Sequence, residues 1–173
     1  MLNFFKKNKS HKLEATVSGN SINIEKVNDS MFSKKLMGDG IAIIPNNDIA
    51  LAPCDGKITV LPESKHAFGM VTDEGVEILV HIGIDTVNLK GDGFRTAVSQ
   101  GDVVKKGDPI IYFDREKIAS QGVDTTTMMI VLNHTEFSKV NCITENEVVA
   151  GQDTVIELSL IHISEPTRRV VIS

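Results

Sequence analysis

Apolar and polar residues alternate in short runs along most of the chain, from Val17 to Leu158. Examples are the runs GIAIIP, KITVLP, GVEILVHI and TTTMMIVLN, and glycine, proline, aspartate or asparagine separates one run from the next. Alternation with a period of two is typical of strands that bury one face. Regular turns with little helical periodicity predict an all-β protein, an antiparallel sandwich or barrel with partly duplicated hairpins.

One short helix is predicted within this β pattern. Asp114 can cap a helix over residues 115–120, and Gly122 can close it. Two Gly-Asp pairs, at Gly101 and Gly107, precede β-branched residues and predict a self-similar hairpin in which glycine supplies the turn. Neither feature changes the fold class, which stays all-β with one or two short helices.

The stretch KHAFGMVTDEGVEILVHIGID predicts a β-hairpin that has a histidine at each end. Its two alternating runs are separated by Asp-Glu-Gly, a strong turn signal. A hairpin brings its ends together, so His66 and His81 are expected on neighbouring strands, with apolar residues around them. The other histidines, His11, His134 and His162, are interpreted as structural.

Composition narrows the class of protein. The chain has 173 residues, of which 41% are hydrophobic, and this is enough for one packed domain. The absence of tryptophan and the net charge of −5 argue against a nucleic-acid-binding surface. Its two cysteines lack C-x-x-C spacing, and no apolar run approaches the length of a membrane span. A cytoplasmic protein with reduced thiols is expected.

The two ends of the chain differ from the middle. Residues 1–13 hold four lysines and no acid, so residues 1–16 are predicted to be a basic flexible arm, either solvated or in peripheral contact with an anionic membrane through residues 1–13. Residues 159–173 include Pro166, which interrupts any strand, and end in an apolar triplet. They are interpreted as an atypical C-terminal tail, either non-native or a divergent extension, which leaves residues 17–158 as the functional domain.

The paired imidazoles are the leading candidates for chemistry. Burial and a neighbouring imidazole both disfavour a second positive charge, so neutral nitrogen is expected, which can bind a metal or attack phosphorus. The zinc-binding motif HExxH is missing, which argues against the interpretation as a zinc enzyme. Attack on phosphorus needs a carbonyl that fixes the tautomer of His81, and the Ile82-Gly83 segment can supply it. It also needs a donor to the phosphoryl oxygens and a hydroxyl that orients this donor, and Ser64 lies two residues before His66.

Several ordered motifs carry a family resemblance over residues 17–158. They are LAPCDGKI, KHAFGM, GVEILVHIGIDTVNLKGDGF, GDVVKKGDPIIYFD and GDGIAIIP. Together they resemble the glucose-type enzyme IIA of the bacterial phosphoenolpyruvate-dependent sugar phosphotransferase system. The resemblance implies a fold of the duplicated hybrid motif type and a phosphocarrier that takes a phosphoryl group from the protein HPr and passes it to a cysteine of a IIB domain of a membrane sugar permease.

The resemblance also implies roles for single residues. His81 in VHIGID matches the histidine that is phosphorylated, and His66 in KHAF matches its partner. Asp39 in GDGIAI and Asp85 in HIGID look like the acids that flank the site and meet an arginine of HPr. The sequence departs from the family's threonine-x-histidine pattern, because Ser64 precedes the first histidine by two positions.

No cofactor is expected, and no metal is required, although His66 and His81 would supply two of the four ligands of a zinc site completed by a partner protein. Regulated target proteins are a further expectation, because phosphorylation changes the charge of a docking face. Two alternatives stay open. One is a biotinyl or lipoyl carrier domain, because the stretches APCDGKI and GDVVKKGDPI resemble the turns of that fold, and the other is a binding module without catalysis. The first lacks support from a methionine-flanked lysine.

Overall fold

The computed structural model describes residues 10–160. They form fourteen β-strands, two α-helices and three 3-10 helices. The strands are β1 (Ser10–Glu14), β2 (Gly19–Asn23), β3 (Asp39–Pro45), β4 (Ile49–Leu51), β5 (Gly56–Val60), β6 (Ala67–Val71), β7 (Glu77–Ile82), β8 (Phe94–Thr96), β9 (Val103–Val104), β10 (Pro109–Phe113), β11 (Thr127–Val131), β12 (Phe137–Cys142), β13 (Glu147–Val148) and β14 (Thr154–Leu160). The helices are α1 (Ser30–Ser33) and α2 (Arg115–Ser120), and the 3-10 helices are Ile24–Lys26, Thr86–Leu89 and His134–Glu136.

The strands make three antiparallel sheets within residues 10–160. The largest has eight strands in the order β13-β2-β3-β11-β7-β6-β5-β9, and the two smaller sheets have the orders β4-β10-β8 and β1-β14-β12. The prediction of an all-β, antiparallel fold with short helices is confirmed. The sheets are open rather than closed into a barrel, so the main core forms where their faces meet.

The main core takes apolar side chains from all three sheets. Alternate residues of the central strands point into it, as the alternating sequence pattern predicts. Fully buried examples from the three sheets are Ile41, Val80, Ile111, Ile156 and Leu158.

A second, smaller cluster covers the opposite face of the large sheet. Ala42, Met128 and Ile130 point to this face, because each is one residue out of step with a residue of the main core. The segment before β3 lies over them and contributes Ile24 and Phe32. Residues 24–33 therefore act as a cover for part of this face, and the histidine end of β7 lies beside it.

Helix α2 follows the predicted cap. The Asp114 side chain accepts a hydrogen bond from the backbone N–H of Lys117 at 3.0 Å, and Ile118 buries its side chain in the main core. The predicted Gly-Asp hairpin is wrong. Gly101 and Gly107 do turn the chain, at φ of 98° and 90°, but β9 pairs with β5 and β10 pairs with β4 and β8, so the two repeats belong to different sheets.

The predicted flexible arm over residues 1–16 is wrong for residues 10–16. Residues of β1 pair with β14, from Ser10 opposite Ser159 to Glu14 opposite Thr154, and the Leu13 side chain is 1% exposed. Pairing with a strand at least 140 residues away leaves no local signal in the sequence. Residues 1–9, and with them most of the predicted membrane contact, lie outside the described residues.

The predicted C-terminal boundary also moves. Strand β14 continues through Ser159 to Leu160, so the domain ends later than residue 158. The rest of the predicted tail, residues 161–173, lies outside the described residues. None of the helices within residues 10–160 has the length and hydropathy that crossing a membrane requires.

Candidate active site

The β6–β7 hairpin brings His66 and His81 together, as predicted. Ala67 is the register partner of His81, and the backbone N–H of Ile82 donates to the carbonyl of His66 at 2.8 Å. The two imidazole rings lie 4.8 Å apart between centroids and meet edge to face, with an interplanar angle of 78°. At the other end of the hairpin Gly75 takes a φ of 91°, in the turn that the sequence predicts.

One backbone carbonyl fixes the tautomer of His81. The Nδ1 atom lies 2.9 Å from the carbonyl oxygen of Gly83. A carbonyl oxygen only accepts, so Nδ1 carries the proton and donates it. The lone pair of the neutral ring is then on Nε2, which is the nitrogen that can attack an electrophile. The contact predicted from the Ile82-Gly83 segment is present.

A serine hydroxyl contacts the other imidazole. Ser64 Oγ lies 2.7 Å from Nδ1 of His66. When the hydroxyl donates, the ring's proton is on Nε2, and that N–H is the donor the site needs. Lys65, between the two residues, adopts a left-handed φ of 56°, which turns the chain so that both side chains meet. The predicted role of Ser64 as an orienting hydroxyl agrees with this contact.

Both imidazoles are held neutral at physiological pH. Burial, and to a smaller extent the neighbouring His81, together lower the pKa of His66 to about 4. Burial also lowers the pKa of His81, while the Gly83 carbonyl and the carboxylates of Asp29 and Asp85 act the other way. A neutral ring keeps the nucleophilic lone pair, so the environment favours the form that reacts.

Two residues of the cover segment belong to this site and were missed from the sequence. The Phe32 ring lies 5.2 Å from the His81 ring, on α1, and Asp29 caps that helix by accepting the Met31 N–H at 3.0 Å. Asp29 also raises the pKa of His81, together with Asp85. The sequence contains a signal for the cap, an aspartate before Ser-Met-Phe-Ser, but nothing in it places the cap beside a strand 50 residues later.

Asp39 lies two strands away from His81 in the large sheet, and its role as an acid that flanks the site stays a prediction. It pairs in register with Val131, three residues along β11 from Met128, the register partner of His81, a shift of about 10 Å along the sheet. Its carboxylate accepts the N–H of Gly40 and contacts Lys35 at 3.5 Å. The acid that shares the His81 environment with Asp85 is Asp29. Asp85 itself adopts a left-handed φ of 60° just after the histidine strand.

The described residues contain no group of three or more His, Cys, Asp or Glu side chains arranged to hold a metal ion. His66 and His81 alone would give two nitrogen ligands, whereas a tetrahedral zinc site needs four donors. A zinc site at a partner interface stays a prediction. Cys54 and Cys142 are away from this pair, and both are free thiols.

An apolar groove of about 410 Å³ lies on the face of the large sheet that also contains the His81 side chain. Leu79, two residues before His81, pairs with Gly69, and Gly69 pairs with Val60. The absence of a side chain at Gly69 deepens the groove. Val60 and Leu132 on its walls are 50% and 37% exposed, so the groove offers apolar contact area to a partner.

Comparison with known proteins gives one family. The model of the family described as phosphoenolpyruvate-dependent sugar phosphotransferase system, EIIA 1, matches residues 11–137. A PTS system glucose-specific EIIA component from Haemophilus influenzae is 44% identical over 157 residues, covering 88% of this chain and 93% of the relative. Another with the same description, from Borreliella burgdorferi, is 38% identical over 175 residues, covering 98% of this chain and 93% of the relative.

A solved structure gives the same result for the fold. The chain is similar to the glucose permease IIA from Mycoplasma capricolum, with a TM-score of 0.79 and 34% sequence identity. The similarity covers 87% of this chain and 96% of the solved one.

Proposed function

The chain belongs to the EIIA 1 family of the phosphoenolpyruvate-dependent sugar phosphotransferase system and is a glucose-type phosphocarrier, and from this premise we propose that it carries the phosphoryl group on Nε2 of His81. The observation that supports this choice is the Gly83 carbonyl at 2.9 Å from Nδ1. It leaves the lone pair of a half-buried, neutral ring on the other nitrogen. Family membership also favours the phosphocarrier over a biotinyl or lipoyl carrier.

The proposed acceptance step is a displacement at phosphorus. Nε2 of His81 attacks the phosphoryl group of phospho-HPr, a bond forms between nitrogen and phosphorus, and the bond to the donor's nitrogen breaks with its electron pair staying on the donor. The His81 ring gains positive charge as the bond forms. The Gly83 carbonyl accepts the Nδ1–H more strongly at that point, and the nearby carboxylates of Asp29 and Asp85 stabilise the charge.

His66 is the proposed donor to the phosphoryl oxygens. Its ring stands edge to face with His81, and the Ser64 hydroxyl on Nδ1 leaves the Nε2–H to point at the transferred group. In the onward step a cysteine thiolate of the IIB domain attacks phosphorus and the phosphoryl group leaves His81. The reaction class is a phosphotransfer, in which this protein is both acceptor and donor.

Partner docking is proposed on the face that contains the histidines. The apolar groove along Val60, Leu79 and Leu132 offers contact area, and Asp29 and Asp85 next to His81 give the docking face a negative charge. HPr and the IIB domain, the proposed partners, would use this face in turn, because each must reach the same nitrogen. Regulated target proteins and a cytoplasmic location stay predictions from the sequence.

The test is phosphorylation with phosphoenolpyruvate, enzyme I and HPr, followed by intact-mass measurement before and after acid treatment. The wild-type protein is expected to gain one acid-labile phosphoryl group. His81→Ala is expected to gain none while keeping its urea midpoint within the range of a surface substitution. The control is His134→Ala, which changes a histidine in a 3-10 helix away from the pair. Adduct formation by His81→Ala at the wild-type rate would make the assignment wrong.

A further inference from the structure

Thr86 is a fully buried polar residue, 0% exposed, that follows the histidine strand. Its hydroxyl donates to the carbonyl of Ile82 at 2.5 Å. Its methyl group lies against Gly83, since a Cβ built on Gly83 would clash with Thr86 Cγ2. One side chain thus contacts the peptide before Gly83 through a hydrogen bond and Gly83 itself through packing.

The Ile82 backbone is connected to both histidines. Its N–H donates to the carbonyl of His66 at 2.8 Å, and its carbonyl accepts the Thr86 hydroxyl. The next carbonyl along the chain, that of Gly83, accepts the Nδ1–H of His81 at 2.9 Å. A change in the tilt of this short segment would therefore move the hydrogen-bond partner of the His81 imidazole and that of the His66 backbone together.

The other side of the segment is held by the loop before β11. The Gly83 N–H donates to the Thr126 carbonyl at 3.0 Å, and the Ile84 N–H donates to the Asp124 carbonyl at 2.9 Å. The Asp124 carboxylate in turn accepts the hydroxyl of Thr126 at 2.7 Å. The segment is therefore anchored on both sides, and Thr86 supplies the anchor on the core side.

We propose that Thr86 is a positioning residue that sets the tautomer of His81 and the placement of His66 by holding the Ile82-Gly83 segment. The proposal rests on the proposed function, because it concerns the same pair of histidines. Threonine suits the place because it combines a donor for the buried Ile82 carbonyl with a methyl group of the right size beside a glycine. Valine keeps the methyl group but leaves that carbonyl without the hydroxyl, whereas serine keeps the hydroxyl and removes the methyl group.

The test compares Thr86→Val, Thr86→Ser and a matched control, Thr16→Val. Thr16 is also 0% exposed, and its hydroxyl also donates to a carbonyl, that of Leu51 at 2.8 Å. Thr16 and Thr86 therefore lose the same kind of buried hydrogen bond on substitution by valine. Urea midpoints of all three variants measure the shared effect on stability, and the histidine readouts separate the two sites.

The first readout is the nitrogen NMR spectrum of the imidazoles, which distinguishes an Nδ1–H ring from an Nε2–H ring without any phosphoryl transfer. His81 is expected to be the Nδ1–H tautomer in the wild type, in Thr16→Val and in Thr86→Ser, and to become a mixture in Thr86→Val. The second readout is the rate of phosphoryl acceptance from phospho-HPr, expected to fall about tenfold in Thr86→Val and to stay within about threefold in the other two.

An unchanged tautomer and an unchanged rate in Thr86→Val would overturn the proposal, and so would an equal fall in rate in Thr16→Val. The proposed function fails in a different way, namely when the wild-type protein accepts no phosphoryl group on His81. In that case the NMR comparison still decides whether Thr86 controls the ring.

Discussion

Two places within residues 10–160 bring histidine together with other polar groups, and of these two one has the features of a reactive site. The first is the pair His66 and His81. The second is a pocket of about 240 Å³ that includes His11 and Cys54, with Asp55 and other charged residues around it. Judged by residue type alone, both places contain side chains that could take part in catalysis.

The difference lies in how the ring nitrogens and the thiol are partnered. In the histidine pair each Nδ1 has a neighbour within hydrogen-bond distance, which leaves Nε2 for chemistry. In the pocket the Nε2 atom of His11 is buried and has no hydrogen-bond partner among the described residues. Burial, and then the charge of Asp55, raises the pKa of the Cys54 thiol to about 12, so it stays protonated. A reactive site therefore needs hydrogen bonds that orient its side chains, here from the Gly83 backbone and the Ser64 hydroxyl, and residue type alone does not give them.

The largest effect that would sharpen this comparison is expected from Gly83→Ala. Gly83 has a φ of 83° and no room for a Cβ, whereas Gly75, at a φ of 91°, has nothing within 4 Å. Both alanine variants pay about 1 to 2 kcal/mol for the left-handed backbone, but only Gly83→Ala must also push the Thr86 methyl group away. We expect phosphoryl acceptance to fall about 100-fold in Gly83→Ala and to stay near wild type in Gly75→Ala. Equal rates in the two variants would contradict backbone control of His81.

A smaller effect is expected from His66→Gln, with His11→Gln as its counterpart in the pocket. The amide supplies a donor to the phosphoryl group but not the ring that stands against His81. Onward transfer to a IIB domain should slow by about 10- to 100-fold, measured by the decay of isolated phosphoprotein after IIB is added. His11→Gln should transfer at the wild-type rate. A wild-type rate in His66→Gln would remove His66 from the mechanism.

The pH dependence of stability gives a test that needs no partner protein. The pKa of His66 falls from 6.5 to about 4 on folding, so between those values the unfolded chain takes up a proton that the folded chain does not. The contribution of His66 to stability is fully present above pH 6.5 and is lost as the pH falls towards 4. We expect the urea midpoint of the wild type to fall over this range more steeply than that of His66→Gln. Parallel curves would show that His66 is not held neutral.

The smallest effect is expected from Cys54→Ala. A thiol with a pKa of about 12 has almost no thiolate at neutral pH, so alkylation of Cys54 in the folded protein should be slow and should speed up on unfolding in urea. Phosphoryl acceptance by Cys54→Ala should stay within about twofold of the wild type. Fast alkylation of the folded protein, or a large loss of phosphoryl acceptance, would show that the pocket is a reactive site as well.

The sequence predicted those parts of the site that are local in the chain. The carbonyl of Gly83 and the hydroxyl of Ser64 each belong to a residue two positions from a histidine. The hairpin joins His66 and His81 through a single turn between adjacent strands. The cap at Asp114 was predicted for the same reason, since a cap acts on its own helix. Alternation of apolar residues was enough for the fold class.

The parts that were missed depend on contacts between distant segments. Asp29 and Phe32 reach His81 only because residues 24–33 cover one face of the large sheet. The motif that contains Asp39 does not tell where it lies in the sheet, and the register of β3 on β11 places it three residues away from the row of His81. Alternation says which residues share a face, but it does not say which strand lies next to which or in what register.

The pairing of β1 with β14 has a consequence for how the protein is made. Strand β14 lies between β1 and β12, so neither can complete its small sheet until residues up to Leu160 have left the ribosome. Until then the apolar side chain of Leu13 lacks the neighbours that bury it in the finished protein. Strands paired across almost the whole chain also close the longest loop, which is slow. A growing chain can therefore form the hairpin with both histidines early, whereas β1 stays unpaired and accessible to chaperones until β14 has been synthesised.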